Sequence, residues 1–110
     1  MTATDFSRDS DAALEALNRK MDVLAEEHDT EVLYQSGVLT VEIEEPAPSK
    51  IVISPNSSAG QIWISAQSTS FKLDWLPDRE EFSYPPTGES LNTLVGRLVG
   101  EELQIGPIQL

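Results

Sequence analysis

Cysteine is absent from the 110-residue chain, and histidine occurs once, as His28. Without a thiol the chain can form no disulfide, no cysteine nucleophile, no thiolate zinc site and no iron–sulfur cluster held by its own ligands. A single imidazole also excludes a site with several histidine ligands, and any Ser-His-Asp arrangement would have to use it. Carboxylates are therefore the side chains that remain for metal chemistry.

Cationic residues are also scarce. Lys and Arg total 7 against 19 Asp and Glu, which gives a formal net charge of −12 with the histidine neutral. Nucleic-acid binding depends on neutralising phosphates with Lys and Arg, so this balance excludes it, and it disfavours an anionic membrane surface for the same reason. The natural partners of such a chain are cations or basic proteins.

Long apolar runs are missing as well. No stretch approaches the ~20 residues needed to span a bilayer. The first residues are polar and acidic, without the cationic and apolar regions of a secretion signal. We therefore expect a cytoplasmic location, and the length suits one domain over residues 1–110.

The first regular element is predicted to be a helix. Four apolar residues recur at spacings of three and four, the period of a helix with one buried stripe: Leu14, Leu17, Met21 and Leu24. The pattern predicts a helix from about Asp9 to Glu27, with residues 1–8 left as a mobile N-terminal segment. His28 falls near the apolar sector at the helix end, and we interpret it as a packing or helix-dipole residue rather than a metal ligand.

Alternation of apolar and polar residues predicts five or six strands after this helix. They centre on residues 32–34, 38–43, 51–53, 62–64, 71–75 and, more weakly, 82–84. A second helix begins after Ser90, a candidate N-cap, and residues 104–110 form a coil tail. The fold class is α+β: a two-layer sandwich with both helices packed on one face of an antiparallel five- to six-stranded sheet.

Acidic residues cluster along one edge of the first helix. On a wheel of about 100° per residue, five of them fall in one sector beside the apolar stripe: Asp11, Glu15, Asp22, Glu26 and Asp29. We call these residues the acidic row, and Glu27 and Glu31 extend its charge toward the first strand. The row is either a solvated face that maintains solubility or a surface for cations. As a cation surface, so open a row binds hydrated Fe²⁺, Fe³⁺, Mn²⁺ or Ca²⁺ weakly, or docks a basic patch of another protein.

Trp63 is a candidate contact residue on the sheet. It lies between Ile62 and Ile64, so it points away from the core if those two residues point into it. Gln61 and Ser65 would then share its face. An exposed tryptophan is typical of binding hot spots, and we favour an interface over cover by a neighbouring loop.

Four segments follow one another in the predicted strands and at the start of the second helix. They are Ser36–Val41, Gln61–Ser65, Lys72–Trp75, and Gly88–Leu91 with Leu94. Together they resemble the frataxin family, in its short bacterial CyaY type, with a short insertion at residues 45–49. The resemblance implies the frataxin-like α-β sandwich over nearly the whole chain.

The same resemblance implies a non-enzymatic role in iron–sulfur cluster assembly, as an iron chaperone and regulator of cysteine desulfurase. Family members bind iron weakly through the acidic first helix and the edge of the first strand, and they bind the desulfurase and its scaffold protein. The implied metal residues are Glu15, Asp22, Glu26, Glu27, Asp29 and Glu31. The implied partner-binding residues are Asn56, Gln61, Trp63 and Lys72. Iron would be surface-bound as Fe²⁺ or Fe³⁺, and the metal-free protein would be a monomer.

Departures from the family pattern qualify this resemblance. Arg19 and Lys20 interrupt the acidic helix, which predicts a lower iron capacity. Pro55 stands within Ser54–Asn56, where it changes the local backbone, and Lys72 replaces the expected arginine without its bidentate fork.

Two other classes of function compete with this interpretation. The first is an acidic adaptor or secretion-chaperone-like binding domain without an iron function. Such chaperones usually place a helix between strands and form dimers, whereas the strands predicted here are uninterrupted. The second is an enzyme, which is disfavoured because there is no phosphate loop, no nucleophile motif and only one neutral-pH base.

Overall fold

The computed structural model describes residues 2–28, 30–44, 46–66 and 68–110. Among these residues, seven strands lie between two helices, and they form a single antiparallel sheet in the order in which they occur in the chain. The elements are α1 (Ala3–Glu27), β1 (Thr30–Gln35), β2 (Val38–Ile43), β3 (Ser49–Asn56), β4 (Gln61–Ala66), β5 (Thr69–Leu76), β6 (Glu81–Tyr84), β7 (Glu89–Ser90) and α2 (Leu91–Leu103).

The two helices cover one face of the sheet, here called the helix-side face, and leave the other, open face to solvent. Alternate residues of β2, β3 and β4 are buried on the helix-side face, and Ile62 and Ile64 of β4 are 0% exposed. The apolar stripe of α1 packs onto them, and Leu14, Leu17 and Met21 are equally buried. The predicted α+β fold with two helices on an antiparallel sheet is confirmed.

The prediction of five or six strands was wrong by one strand, β7. Its two residues pair with β6 through Ser83↔Ser90 and Tyr84↔Glu89. A two-residue strand has no alternation to detect, and Ser90 serves at once as its last residue and as the N-cap of α2, whose hydroxyl accepts the N–H of Thr93 at 3.2 Å. The predicted N-cap role of Ser90 is thus confirmed. Because the same residue also ends β7, the sequence showed the start of the helix and not the strand before it.

α1 begins at Ala3, six residues before the predicted start, so residues 3–8 form its first turns rather than a separate segment. Thr2 is the N-cap, and its side-chain oxygen accepts the N–H of Asp5 at 3.0 Å. Phe6 is 3% exposed and packs edge-to-face against Phe82 of β6. Despite the length of α1, no helix among the described residues is both long and apolar enough to cross a bilayer.

The C-terminal tail folds back along α2, where two glycines make room for it. The N–H groups of Ile105 and Ile108 donate to the carbonyl oxygens of Gly100 and Gly96, at 3.1 and 3.2 Å. A Cβ at Gly96 would collide with the carbonyl of Ile108, and one at Gly100 with that of Gly106. Both glycines lie inside the helix, so their cost in helix propensity is offset by close packing of the tail.

Candidate cation and partner surfaces

The described part of the acidic row lies along the flank of α1 nearest to β1. Of its five members the structure describes four, and Asp11, Glu15, Asp22 and Glu26 are all exposed. Asp29 lies outside the described residues. At 1.5 Å rise per residue, Glu15 and Asp22 are about 10 Å apart along the helix axis, and Asp22 and Glu26 about 6 Å. The row is therefore an open line of solvated carboxylates.

Tyr34 of β1 reports the negative field of this flank. Its side chain is half-buried on the helix-side face. Burial raises the pKa of its hydroxyl above the usual 10.0, and the carboxylates of Asp11 and Glu15 raise it further. Both effects act against the charged phenolate. Sequence reasoning did not single out Tyr34, although the alternation in β1 places it beneath α1.

Two of the predicted metal residues lie away from the acidic row. Glu27 is about 140° from Asp22 on the helical wheel, and it borders a groove between α1 and the C-terminal tail with Lys20 and Val23. Glu31 is exposed on the open face of β1, opposite Glu42 of β2. The five predicted metal residues that the structure describes therefore do not converge on one point.

No enclosed metal site is formed by the described residues. Within residues 2–28, 30–44, 46–66 and 68–110, no three His, Asp or Glu side chains come close enough together to hold an ion. Carboxylates spaced along a helix attract hard cations, but each supplies only one or two of the six or more oxygens that such ions take. The arrangement suits loosely held, hydrated ions that exchange rapidly.

The open face carries a connected polar group around Trp63. Trp63 is half-buried there, as its alternation with Ile62 and Ile64 predicts. Its indole N–H donates to Gln61 Oε1 at 2.9 Å, and Gln61 Nε2 donates to Asp74 Oδ1 at 2.8 Å. The indole is therefore held in one orientation from its polar edge.

Lys72 and Asn56 border this group on two sides. Lys72 is paired with Trp63 across β4 and β5, and its Nζ lies 4.8 Å from the centroid of the indole ring, a cation–π distance. Asn56 is paired with Gln61 across β3 and β4. Its Oδ1 accepts the N–H of Ala59 at 3.0 Å, so this residue also fixes the turn between the strands.

Asp74 belongs to the open-face group although it was not among the predicted partner residues. It shares a strand face with Lys72, two residues earlier, and lies opposite Gln61. Its same-face spacing was a usable signal, since residues i and i+2 of a strand point to one side. The group formed by Gln61, Trp63, Lys72 and Asp74 is here called the tryptophan face.

Comparison with known proteins then identifies the family. A family model described as the frataxin-like domain matches residues 1–105. The chain belongs to the frataxin-like family. It is 26% identical over 99 residues to the iron-sulfur cluster assembly protein CyaY of Thioalkalivibrio sulfidiphilus, covering 90% of this chain and 91% of that protein. Its fold is similar to that of a solved frataxin from Psychromonas ingrahamii, with a TM-score of 0.75 and 16% identity over 99% of this chain and 97% of the other.

In this frataxin-like chain Pro55 does not interrupt the sheet. Strand β3 continues through it to Asn56, with Pro55 paired to Ile62 and Asn56 to Gln61. A proline is tolerated in a strand only where its missing N–H is not required by a neighbour. The departure at this position therefore leaves the register of the tryptophan face intact.

Proposed function

We propose that this frataxin-like chain is a non-enzymatic, iron-binding regulator of iron–sulfur cluster assembly that docks on cysteine desulfurase and its scaffold protein. The observation that carries the proposal is the line of exposed carboxylates on the β1 flank of α1, in a chain of this family. A relative named for iron-sulfur cluster assembly supports the pathway. The cytoplasmic location predicted from the sequence remains part of the proposal.

Iron acts in this proposal as a transient cargo. Exposed carboxylates offer oxygen ligands to Fe²⁺ without excluding water, so affinity is low and exchange is fast. Arg19 is exposed beside the row on α1, and Lys20 is exposed on the side of Glu27, so both add positive charge to the helix. We expect them to reduce the number of ions held at once.

Docking on the desulfurase uses the same negative surface together with the tryptophan face. The acidic row attracts a basic surface from a distance and speeds association. Trp63 supplies a large and already oriented contact on the open face. Affinity led by charge falls as ionic strength rises.

The first prediction is that reversing the acidic row weakens both interactions. The variant Asp22→Lys with Glu26→Lys changes the charge by four units on the β1 flank. The matched control, Asp78→Lys with Glu102→Lys, makes the same change on the β5–β6 turn and on α2. We expect the first variant to lose Fe²⁺-dependent shifts in anaerobic NMR titrations and to bind purified desulfurase at least about tenfold more weakly at low salt, about 1.4 kcal/mol.

The control should bind both iron and desulfurase within about twofold of the wild type. If the row variant behaves like the control, the acidic row is only a solvated face. Retention of desulfurase that does not change between low and high salt would also contradict docking led by charge.

A further inference from the structure

The sheet has one long open edge among the described residues. β1 is an end strand, and its six residues pair with β2 alone. The opposite end strand, β7, has two residues and leads directly into α2. Backbone N–H and C=O groups on the outer side of β1 are therefore available to a further strand.

Apart from the charged side chain of Glu31, β1 lacks the features by which edge strands usually avoid pairing. Its register with β2 runs without a bulge from Thr30↔Ile43 to Gln35↔Val38. The strand contains no proline and no lysine, and Leu33 on the open face is 57% exposed. An unblocked edge with an exposed apolar side chain is typical of strands that accept a partner strand.

The charge around this edge indicates the chemistry of the partner. On the helix-side face, the acidic row is close enough for Asp11 and Glu15 to raise the pKa of Tyr34. A strand added beside β1 would turn alternate side chains toward that row, where Lys or Arg would be favoured. A second copy of this chain would instead bring another net charge of −12, which opposes self-association without added cations.

We propose that the outer edge of β1 binds an extended basic segment of a partner protein by strand addition. Lys or Arg side chains of the segment point toward the acidic row, and an apolar side chain on its other face covers Leu33. Main-chain hydrogen bonds then provide affinity, and the alternation of side chains provides selectivity. This inference rests on the proposed function for the use of the acidic row, and it adds backbone pairing along β1 as the binding mode.

A peptide pair separates backbone pairing from attraction between charges. The probe is a fluorescein-labelled octapeptide of alternating Lys and Val. Its control has the same side chains and charge, but every backbone amide is N-methylated and cannot donate a hydrogen bond. In anisotropy titrations at low salt we expect the unmodified peptide to bind at least about tenfold more tightly. It should also shift the amide signals of β1 and slow their hydrogen exchange.

A variant pair tests the edge from the side of the protein. Leu33→Lys and Val23→Lys each add one positive charge at an equally exposed apolar position, 57% and 58% exposed, and circular dichroism melts verify that both remain folded. We expect Leu33→Lys to weaken the unmodified peptide about tenfold and Val23→Lys to stay within about twofold.

Equal affinity for the two peptides, or equal effects of the two variants, would overturn strand addition and leave attraction between charges alone. Peptide-induced dimerisation, or shifts confined to the tryptophan face, would overturn it as well. None of these outcomes affects the iron and desulfurase interactions, which are judged by reversal of Asp22 and Glu26.

Discussion

Trp63 is turned outward by the alternation of β4 and is then fixed by its neighbours. Gln61 accepts its indole N–H and is itself held by Asp74, while Lys72 lies over the ring. A side chain that is already ordered loses little conformational entropy when a partner covers it, so more of its contact energy appears as affinity. The side-chain amide of Gln61 makes two of these contacts: its oxygen accepts from Trp63, and its nitrogen donates to Asp74.

The second prediction concerns that amide. Gln61→Met removes its donor and acceptor at similar volume, and the free energy of unfolding should change by less than about 1 kcal/mol because the groups face solvent. The indole N–H should exchange faster with solvent, and binding to the desulfurase–scaffold complex should weaken about threefold. The ¹⁵N-detected indole signal, assigned with Trp75→Phe, measures the first effect, and titration measures the second.

Ser65→Ala is the control for this prediction, because Ser65 is exposed on the same face of the same strand. It should leave both the indole exchange rate and the affinity unchanged. An indole that exchanges at the wild-type rate in Gln61→Met would show that the hydrogen bond does not orient Trp63.

At the level of single residues, the sequence predicted the sheet face to which a side chain points better than it predicted the contacts of that side chain. Trp63 was placed on the open face because Ile62 and Ile64 are clearly apolar on either side. The bond from Gln61 to Asp74 depends on the register of β4 with β5, which a turn sets and periodicity does not reveal. The face of Glu31 was not predicted, because Val32, Leu33 and Tyr34 are all apolar and show no alternation.

A bidentate ion pair between Arg97 and Glu89 joins helix α2 to strand β7. Arg97 donates from Nε and a terminal nitrogen to the two carboxylate oxygens of Glu89, both at 2.9 Å, and also pairs with the exposed Glu101 at 3.2 Å. The hydrogen bonds from Arg97 hold the pKa of Glu89 below 4.5, and the Glu89 carboxylate raises the pKa of Arg97. Bidentate geometry of this kind favours the charged pair.

The third prediction follows from the lowered pKa of Glu89. A carboxyl whose pKa is lower in the folded state stabilises the fold above its unfolded pKa and loses that contribution as pH falls through the folded value. Glu89→Gln should therefore cost about 1 kcal/mol at neutral pH. This difference from the wild type should begin to shrink as pH falls below the ordinary pKa of a glutamate and disappear only below the lowered pKa of Glu89. Urea titrations at several pH values give both quantities.

Glu101→Gln provides the comparison for the Glu89 variant. Glu101 contacts the same arginine through one hydrogen bond and is 54% exposed in its side chain, so we expect a cost of at most a few tenths of a kcal/mol. If both variants lost the same stability, the bidentate contact with Glu89 would stabilise the fold no more than the single hydrogen bond to Glu101.

At the level of elements, long periodic segments were predicted well and their ends were not. Phe6, Ser10 and Leu14 continue the buried stripe of α1, but a serine in that stripe interrupts the apolar pattern. Ser10 is 1% exposed, and its hydroxyl reaches the carbonyl of Ser7 at 3.3 Å. A helix backbone can thus satisfy a buried hydroxyl, which the sequence pattern alone does not reveal. β7 was missed because a strand of two residues shows no alternation.

Part of the net charge of −12 of the whole molecule lies in pairs of like charges that lower the stability of α1. Asp11 with Glu15 and Asp22 with Glu26 are like charges one helical turn apart, and such pairs destabilise a helix by a few tenths of a kcal/mol each. Retaining them is consistent with a surface selected for binding cations at some expense of stability.

The fourth prediction is that neutralising the row separates stability from binding. Asp22→Asn with Glu26→Gln should raise the melting temperature by about 2 °C, and Fe²⁺ binding should weaken in the same protein. Asp78→Asn with Glu102→Gln removes the same charge elsewhere and should change neither quantity as much. Equal melting temperatures for the two variants would mean that repulsion within the row is negligible.

Each strand after β1 pairs with the strand that precedes it in the chain. A chain leaving the ribosome can therefore add strands one at a time, each on the edge left by the one before, without a long-range search for a partner. β7 is the last strand to be added, and α2 with the C-terminal tail then covers the remaining core. The outer edge of β1 receives no strand of the described chain at any stage, so a molecule that pairs with it could do so as early as the first hairpin.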